Sequence, residues 1–473
     1  MIRQQTWCWW VPLILLSVLA YFIQMHLYLH KDVGIITHTA ALLLAGETYG
    51  NNIFEPNPPL IFYLSMPAVI LAKLTTLTLL STLRLYFIGL AFFSISCCYF
   101  LIKQLFKKNQ GIIYLLAYSL AYILFFLPAQ QFAQREHFLL VLILPYLFFI
   151  ALRIENKPLP PFLILVISCM AGIGFAIKPH FLLALIFIEI YFIWEKRNIL
   201  AWARIENAII FTIFTTYLAA VLLFYPQYLS QVLPLWMPYY LAIAHNWASV
   251  LLYPGLLYCF TIILAYLLTA HSKAYKKTSC ILLFALVGFI GAYLIPRVAW
   301  YYHILPALSV ACLLAVLIFW QVDAKIIKIT QGKYTLLARV SLWAMVFSIP
   351  VALSLQSTIK ATLHFYAENS AKQRLIRFIQ QHDRYTTFDI FAMTHDINIL
   401  EYYTKATYVG SFQFFVWEYN NYLLKHQPSR QALIYQKNIP YIMDIIAHDL
   451  TDKKPQLIIV DIPSSQEYLG TKI

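Results

Sequence analysis

The sequence predicts a polytopic α-helical membrane protein, and three observations carry that prediction. The first is composition. Of 473 residues, 61% are hydrophobic and 11% charged, with a mean hydropathy of +0.70. A soluble domain carries roughly 25% charged residues, so this chain cannot cover itself with polar surface. With 34 Phe, 34 Tyr and 11 Trp, it is also far too apolar for a disordered chain. The second observation is a series of apolar runs near 8–27, 58–80, 85–102, 112–128, 137–152, 160–177, 181–194, 207–225, 249–270, 279–296, 301–321 and 336–356. A span needs about 20 apolar residues as helix. The third is that Lys and Arg fall into alternate loops.

The elements follow in chain order. Arg3 precedes the first run, which has no small-residue cleavage site and reads as a retained span. Basic groups follow runs three (Lys103, Lys107, Lys108), five (Arg153, Lys157), seven (Lys196, Arg197, Arg204), nine (Lys273, Lys276, Lys277) and eleven (Lys325, Lys328, Lys333, Arg339). The intervening loops hold Arg135, Lys178, no basic residue over 226–248, and Arg297. The basic loops are therefore expected to be cytoplasmic. That alternation holds only if run 58–80 does not cross. Pro58, Pro59, Pro67, Lys73 and the Thr-rich stretch 75–82 fit an interfacial element. The expectation is about 11 crossings plus interfacial helices, within a membrane domain over 1–356 whose first outer loop is 28–80. Twelve spans with one misplaced loop is the alternative.

From 357 onwards the character changes. Residues 357–473 hold 12 Lys+Arg and 11 Asp+Glu, with no spanning run. A helix over 366–382, strands over Asp389–Met393 and Leu457–Asp461, and helices over 413–425, 429–436 and 440–451 predict a small C-terminal α/β domain outside the membrane. His395-Asp396 reads as a turn. The net charge of +14 is explained by basic cytoplasmic loops, so no nucleic-acid partner is expected. None of the seven cysteines has metal-ligand spacing, and no obligatory metal or other cofactor is expected.

Polar residues concentrate in the outer segments: Asp32, His38, Glu47, Glu55 and Asn57, then Gln130, Gln131, Gln134, Arg135, Glu136 and His137, then Lys178 and His180, His245 and Asn246, and finally Arg297, Tyr301, Tyr302 and His303. A transporter concentrates such groups at midplane. Here only Glu189 stands out inside a run, as a snorkelling or locally paired carboxylate. The distribution points to chemistry at the outer boundary. There is no GxxxxGK[ST], GxGxxG or HExxH. Without a nucleotide site, an outer enzyme needs a donor already activated there, and a sugar on a polyprenyl phosphate meets that need.

The first loop carries a recognisable order of motifs. Asp32-Val33-Gly34 follows the first span; Ala40-Ala41-Leu42-Leu43-Leu44-Ala45-Gly46-Glu47-Thr48-Tyr49 comes next; then Asn57-Pro58-Pro59-Leu60-Ile61-Phe62-Tyr63. This resembles the GT-C superfamily of membrane glycosyltransferases, in the PMT-like branch with protein O-mannosyltransferases and lipid A aminoarabinose transferases. The resemblance covers about 8–110 in detail and 111–356 in architecture. It implies a GT-C-like bundle and an inverting transfer in which a carboxylate deprotonates the acceptor hydroxyl and polyprenyl phosphate leaves. Asp32 matches the family's first-loop Asp. Val33 departs from the common Asp-Glu pair, and Asn57 stands where aminoarabinose transferases have Lys.

Asp32 is thus the expected general base, although a carboxylate at a helix end needs no such role. Arg135, Lys178 and Arg297 are the expected phosphate contacts, since each is the lone strong base in its outer loop; headgroup contact, or pairing of Arg135 with Glu136, is the plain alternative. Glu47, Glu55, Asn57, Glu136, His137, His180, Tyr302 and His303 are candidate donor or acceptor contacts, with interface structure as the alternative for the His and aromatic groups. These side chains are expected to meet at one boundary, with Asp32 near the three cations. The expected partners are a polyprenyl-phosphate sugar, a glycan, lipid or protein acceptor, and membrane lipids. The expected location is the bacterial inner membrane, with the site and the C-terminal domain periplasmic. A transporter or flippase of a lipid-linked anion, and a polysaccharide ligase or polymerase, are the competing readings.

Overall fold

The computed structural model describes residues 10–107, 109–242, 244–269, 272–329, 335–366, 370–382, 384–391, 399–412 and 430–460. It is overwhelmingly helical. In order, the helices are α1 (Trp10–His26), α2 (Lys31–Leu44), α3 (Leu60–Leu74), α4 (Leu79–Leu105), α5 (Gln110–Phe125), α6 (Arg135–Ile154), α7 (Pro161–Ala176), α8 (Leu182–Lys196), α9 (Ile205–Phe224), α10 (Leu233–Ala242), α11 (Trp247–Leu251), α12 (Pro254–Leu268), α13 (Lys273–Leu294), α14 (Tyr301–Ile329) and α15 (Thr335–Tyr366). Then come α16 (Ala371–Gln381), β1 (Thr387–Phe391), α17 (Leu400–Tyr403), β2 (Thr407–Tyr408), α18 (Arg430–His448) and β3 (Leu457–Val460).

Among the described residues, α4, α6, α9, α13 and Tyr301–Asp323 of α14 are each long and apolar enough to cross a membrane. α1 and α2 meet that test only together, and are bent by 94°. The chain is a helical membrane protein on these grounds. α3, α5, α7 and α12 are shorter apolar helices.

Several elements differ from expectation. Run 249–270 is broken, because Pro254 opens α12 at a position where its missing N–H costs nothing. The stretch 226–248, read as loop, contains a π turn over Tyr228–Val232 and then α10. α18 is one helix where two were expected; Pro440 lies inside it without ending it, although an interior proline removes one backbone hydrogen bond and crowds the carbonyl four residues back. β1 starts two residues earlier than predicted. β2 is only two residues long, too short to show an alternation. The expected helix 413–425 and the His395-Asp396 turn lie outside the described residues.

The chain divides into two compact units. The first comprises residues 1–27, 84–218 and 245–360; the second comprises 28–83, 219–244 and 361–473.

Within the first unit, α6 is the central helix and is buried on nearly every face. α8 and α13 cross closely, because a Cβ on Gly288 would lie 2.4 Å from the Cα of Ala184. Small residues let helix backbones approach in this way. The helix connections gather in two groups. In one, Lys157 donates to Gln104 O (3.0 Å), Lys196 to Ile154 O (3.0 Å) and Asn109 to Tyr275 Oη (3.0 Å). In the other, Lys178 meets Glu136 and Tyr301 Oη donates to Leu127 O (2.6 Å).

Within the second unit, α2 packs along α3. The loop between them turns through Gly46 and Gly50 at positive φ (90° and 79°), a region open to glycine at no steric cost. Its carbonyls are held by aromatic donors: Trp236 Nε1 on Phe54 O (2.6 Å), Tyr228 Oη on Pro56 O (3.0 Å) and Tyr49 Oη on Asn57 O (3.0 Å). The strands form a parallel sheet in the order β2-β1-β3, with Thr387 opposite Thr407 and Phe388 opposite Leu457.

Candidate functional site

In the first unit, six of the expected contact residues are brought into one neighbourhood. Gln134 takes an extended conformation as N-cap, and α6 begins at Arg135. Lys178 lies in the extended step before a short 3-10 turn over Pro179–Phe181. Its ammonium sits 2.5 Å from Glu136 Oε1, and the Glu136 side chain is only 1% exposed. The Arg135 guanidinium lies 5.7 Å and the Lys178 ammonium 5.8 Å from the centre of the Tyr302 ring. One aromatic face thus attracts two cations through its quadrupole. His303 packs edge-on against Tyr302 at 4.3 Å, and its Nδ1 contacts Val298 O at 3.2 Å. The His180 imidazole feels the same charges. Burial lowers its pKa first, Lys178 and Arg135 add to the effect, Glu136 opposes them, and the result is about 4. His180 is therefore neutral at pH 7 and adds no charge to the neighbourhood. Arg135 and Lys178 thus stand beside the same aromatic ring, with Glu136 against Lys178. Such a pocket wall can hold an anionic oxygen.

Two expected contacts in this unit are corrected. His137 is fully buried. Ala133 N donates to its Nδ1 (3.2 Å), its Nε2 lies 2.9 Å from Leu124 O, and its ring packs against Phe87 and Phe132. Both ring nitrogens are engaged by backbone, so His137 braces the turn into α6 and does not contact a ligand. Arg297 does not join the Glu136–Lys178 neighbourhood among the described contacts. It adopts the left-handed conformation at φ 52°, donates to His245 O (3.1 Å), and stacks 4.9 Å from the Trp247 ring. Its guanidinium ties two turns together.

The second unit holds Asp32. It lies half-buried in the first turn of α2 behind His30 as N-cap, whose Nδ1 accepts from Asp32 N at 3.2 Å. A carboxylate there is favoured by the free N–H groups and dipole of the helix start. Two residues on, Gly34 is required by packing: a Cβ would meet Ile399 Cγ2 at 3.0 Å, and Gly34 O accepts from Tyr402 Oη (3.1 Å). His38 contacts Glu401 at 2.9 Å. That pair escaped the sequence reading because 363 residues separate its members.

Glu47, Glu55 and Asn57 are engaged within the loop between α2 and α3. Glu47 Oε2 accepts from Asn52 Nδ2 at 2.5 Å. Glu55 accepts from both the side chain and the backbone of Asn57, and both residues are buried. These groups hold the shape of the first loop, whose polar interior must be satisfied locally. Asp32 belongs to the second unit, whereas Arg135, Lys178 and Arg297 belong to the first. Among the described residues, no group of three or more His, Cys, Asp or Glu could hold a metal ion.

Compared with known protein families, with curated proteins and with solved structures, the chain matches none of them.

Proposed function

We propose that the chain is an integral-membrane glycosyltransferase of GT-C type, transferring a sugar from a polyprenyl-phosphate donor to a hydroxyl acceptor at the outer membrane face. In this reading there are about 11 crossings, with the C-terminal region outside a bacterial inner membrane. Asp32 takes the acceptor proton as the acceptor oxygen attacks the anomeric carbon from the face opposite the phosphate. The sugar–phosphate bond breaks with inversion, and the polyprenyl phosphate leaves with the added negative charge. Arg135 and Lys178 stabilise that growing charge more than they stabilise the intact donor, which is the requirement for acceleration. Tyr302, His303 and neutral His180 border the phosphate or its sugar.

The observation that carries this reading is the buried Glu136–Lys178 pair with Arg135 beside it, over one tyrosine ring. The two cations lie 5.7 and 5.8 Å from that ring's centre, where a phosphate oxygen would meet two basic groups. Asp32, in the first turn of α2, is the carboxylate this reading takes as the base.

The test is Asp32→Asn in the full chain, assayed by transfer from polyprenyl-phosphate sugar in membranes of cells lacking the protein. Transfer should fall by about 10³-fold or more, in line with loss of a general base, while insertion and thermal unfolding stay unchanged. Retained transfer removes Asp32 as the base. Movement of the lipid between leaflets without any transfer would assign the same cations to a flippase.

A further inference from the structure

α6 carries charge at both ends. Arg135 and Arg153 are 18 residues apart, about 27 Å along a helix at 1.5 Å per residue, close to the thickness of a hydrocarbon core. At the Arg153 end the first unit contains an open cavity of about 500 Å³. Its lining includes Arg153, Asn156, Lys157, Lys196, Asn198 and Arg204, and no carboxylate. Two acids lie behind the wall, and a third, Glu155, pairs with Lys157 at 2.6 Å. Glu206 is fully buried and accepts from Arg204 Nε (2.7 Å) and from Arg153 Nε (3.0 Å) and Nη2 (3.4 Å). Glu189, the one carboxylate noticed inside an apolar run, is paired with Arg204 at 2.6 Å. The guanidinium of Arg204 also lies 3.5 Å from the centre of the Phe192 ring. These contacts fix the two arginines without using Arg153 Nη1. Lys157 meets Glu155 and Gln104 O, and Lys196 meets Asn156, Ile154 O and, at 5.7 Å, the centre of the Phe192 ring, so each ammonium has two polar partners within the protein.

The rim has a different chemistry. Ile199, Leu200 and Trp202 form a short turn over residues 199–202 whose side chains are exposed, Ile199 by 70%. Trp194 and Ile205 on either side are exposed too. A cationic cavity bordered by exposed Trp, Leu and Ile, at the end of a membrane-length helix, matches a headgroup above acyl chains. A soluble anion would leave the apolar rim without a partner.

We propose that this cavity binds the phosphate headgroup of an anionic phospholipid, with the acyl chains lying along Ile199, Leu200 and Trp202. The site is separate from the Glu136–Lys178 neighbourhood, and it stands whether or not the glycosyltransferase reading does.

Delipidated full-length protein in detergent is titrated with phosphatidylglycerol, phosphatidylcholine and inorganic pyrophosphate, and bound molecules are counted by native mass spectrometry. Phosphatidylglycerol should bind at least ten-fold more tightly than phosphatidylcholine. K157Q/K196Q should weaken it about ten-fold, whereas K157R/K196R should not. Equal affinity for the two lipids, or undiminished binding by K157Q/K196Q, overturns the proposal. Pyrophosphate that displaces the lipid, and is itself lost in K157Q/K196Q, makes the cavity a soluble-anion site and overturns the lipid assignment. Should K157Q/K196Q unfold, the wild-type chain is photolabelled with a diazirine-bearing phosphatidylglycerol. Labels within 194–205 uphold the site, and labels confined elsewhere sink it.

Discussion

Lys178 and Glu136 depend on one another. An ion pair this deeply buried is stabilised only while both members are present, because removing one leaves a charge without its counterpart in a low-dielectric setting. Lys178→Met should therefore destabilise the protein by about 3–5 kcal/mol, read as a fall in thermal midpoint in detergent. Glu136→Gln combined with Lys178→Met should recover part of that loss, since no buried carboxylate is then left without its ammonium. Equal loss in the single and double variants would show that packing, not charge, dominates the position. Asp389 gives a second test at this scale. It is 4% exposed, and burial, followed by repulsion from Asp449, raises its pKa from 3.8 to about 6 against the Ile390 N–H and Lys453. The folded state thus holds the proton more tightly than the unfolded chain between those two values. Stability contributed through Asp389 is greatest below about pH 4 and declines as pH rises to about 6, by about 3 kcal/mol at 1.36 kcal/mol per unit. Asp389→Asn should flatten that slope, measured as hydrogen exchange of the β1 amides after correction for intrinsic rates. Residue chemistry of this kind was partly legible. Arg135 and Lys178 stood out as cations on the wrong side for their loops, and they do share a neighbourhood. A structural role for His137 was the stated alternative, but its partners at Leu124 and Ala133 were not legible, because they are set by a turn through Ala129 and Ala133 at positive φ, a conformation alanine does not advertise.

At the scale of elements, hydropathy located most of the helices, and glycine shows how they fit. Gly288 has a backbone atom of α8 where a side chain would stand. Gly288→Leu should push α8 and α13 apart and cost about 1–3 kcal/mol or more, as overpacking of a close core does; unfolding in detergent measures it. Gly89, with open space around it, is the control position, and the same substitution there should cost far less. The breaks were harder to read than the spans. Pro254 ended a run that hydropathy showed as continuous, yet Pro440 ended nothing. The difference is one of place: a proline at a helix start meets no existing hydrogen bond, and one inside removes a single bond that surrounding packing can replace. α10 was missed because its segment offers aromatics without a polar face, which reads equally as loop or buried helix. Trp236 and Tyr228 then cap loop carbonyls that no local pattern could associate with them.

For the molecule as a whole, the sorting of Lys and Arg along the chain has a spatial counterpart in the first unit. Lys157, Lys196 and the start of α13 belong to one group of connections, and Lys178 and Tyr301 to the other. In the proposed orientation the positive-inside rule assigns the first group to the cytoplasmic side. In a cysteine-depleted chain, cysteine introduced at exposed Lys273 should react with an impermeant reagent only after the membrane is opened. Cysteine at exposed Pro179 should react in intact spheroplasts. The reverse pattern would place Glu136 and Lys178 on the cytosolic side and end the proposed chemistry there. What the sequence could not supply at this scale is which parts of the chain keep company. Segments 28–83 and 219–244 pack with 361–473, and such pairings depend on side chains hundreds of residues apart, such as His38 with Glu401 or Phe54 with Trp236.

α6 and α9 are nearly equal in hydropathy, at 2.2 and 2.0, yet 94% of the first window is buried within the protein and only 11% of the second. For evolution, then, the two are different substances. α9 is written in a loose alphabet, where one greasy residue serves as well as another. α6 is a keystone laid against protein on every side, so a change of side-chain volume along it should be felt by its neighbours.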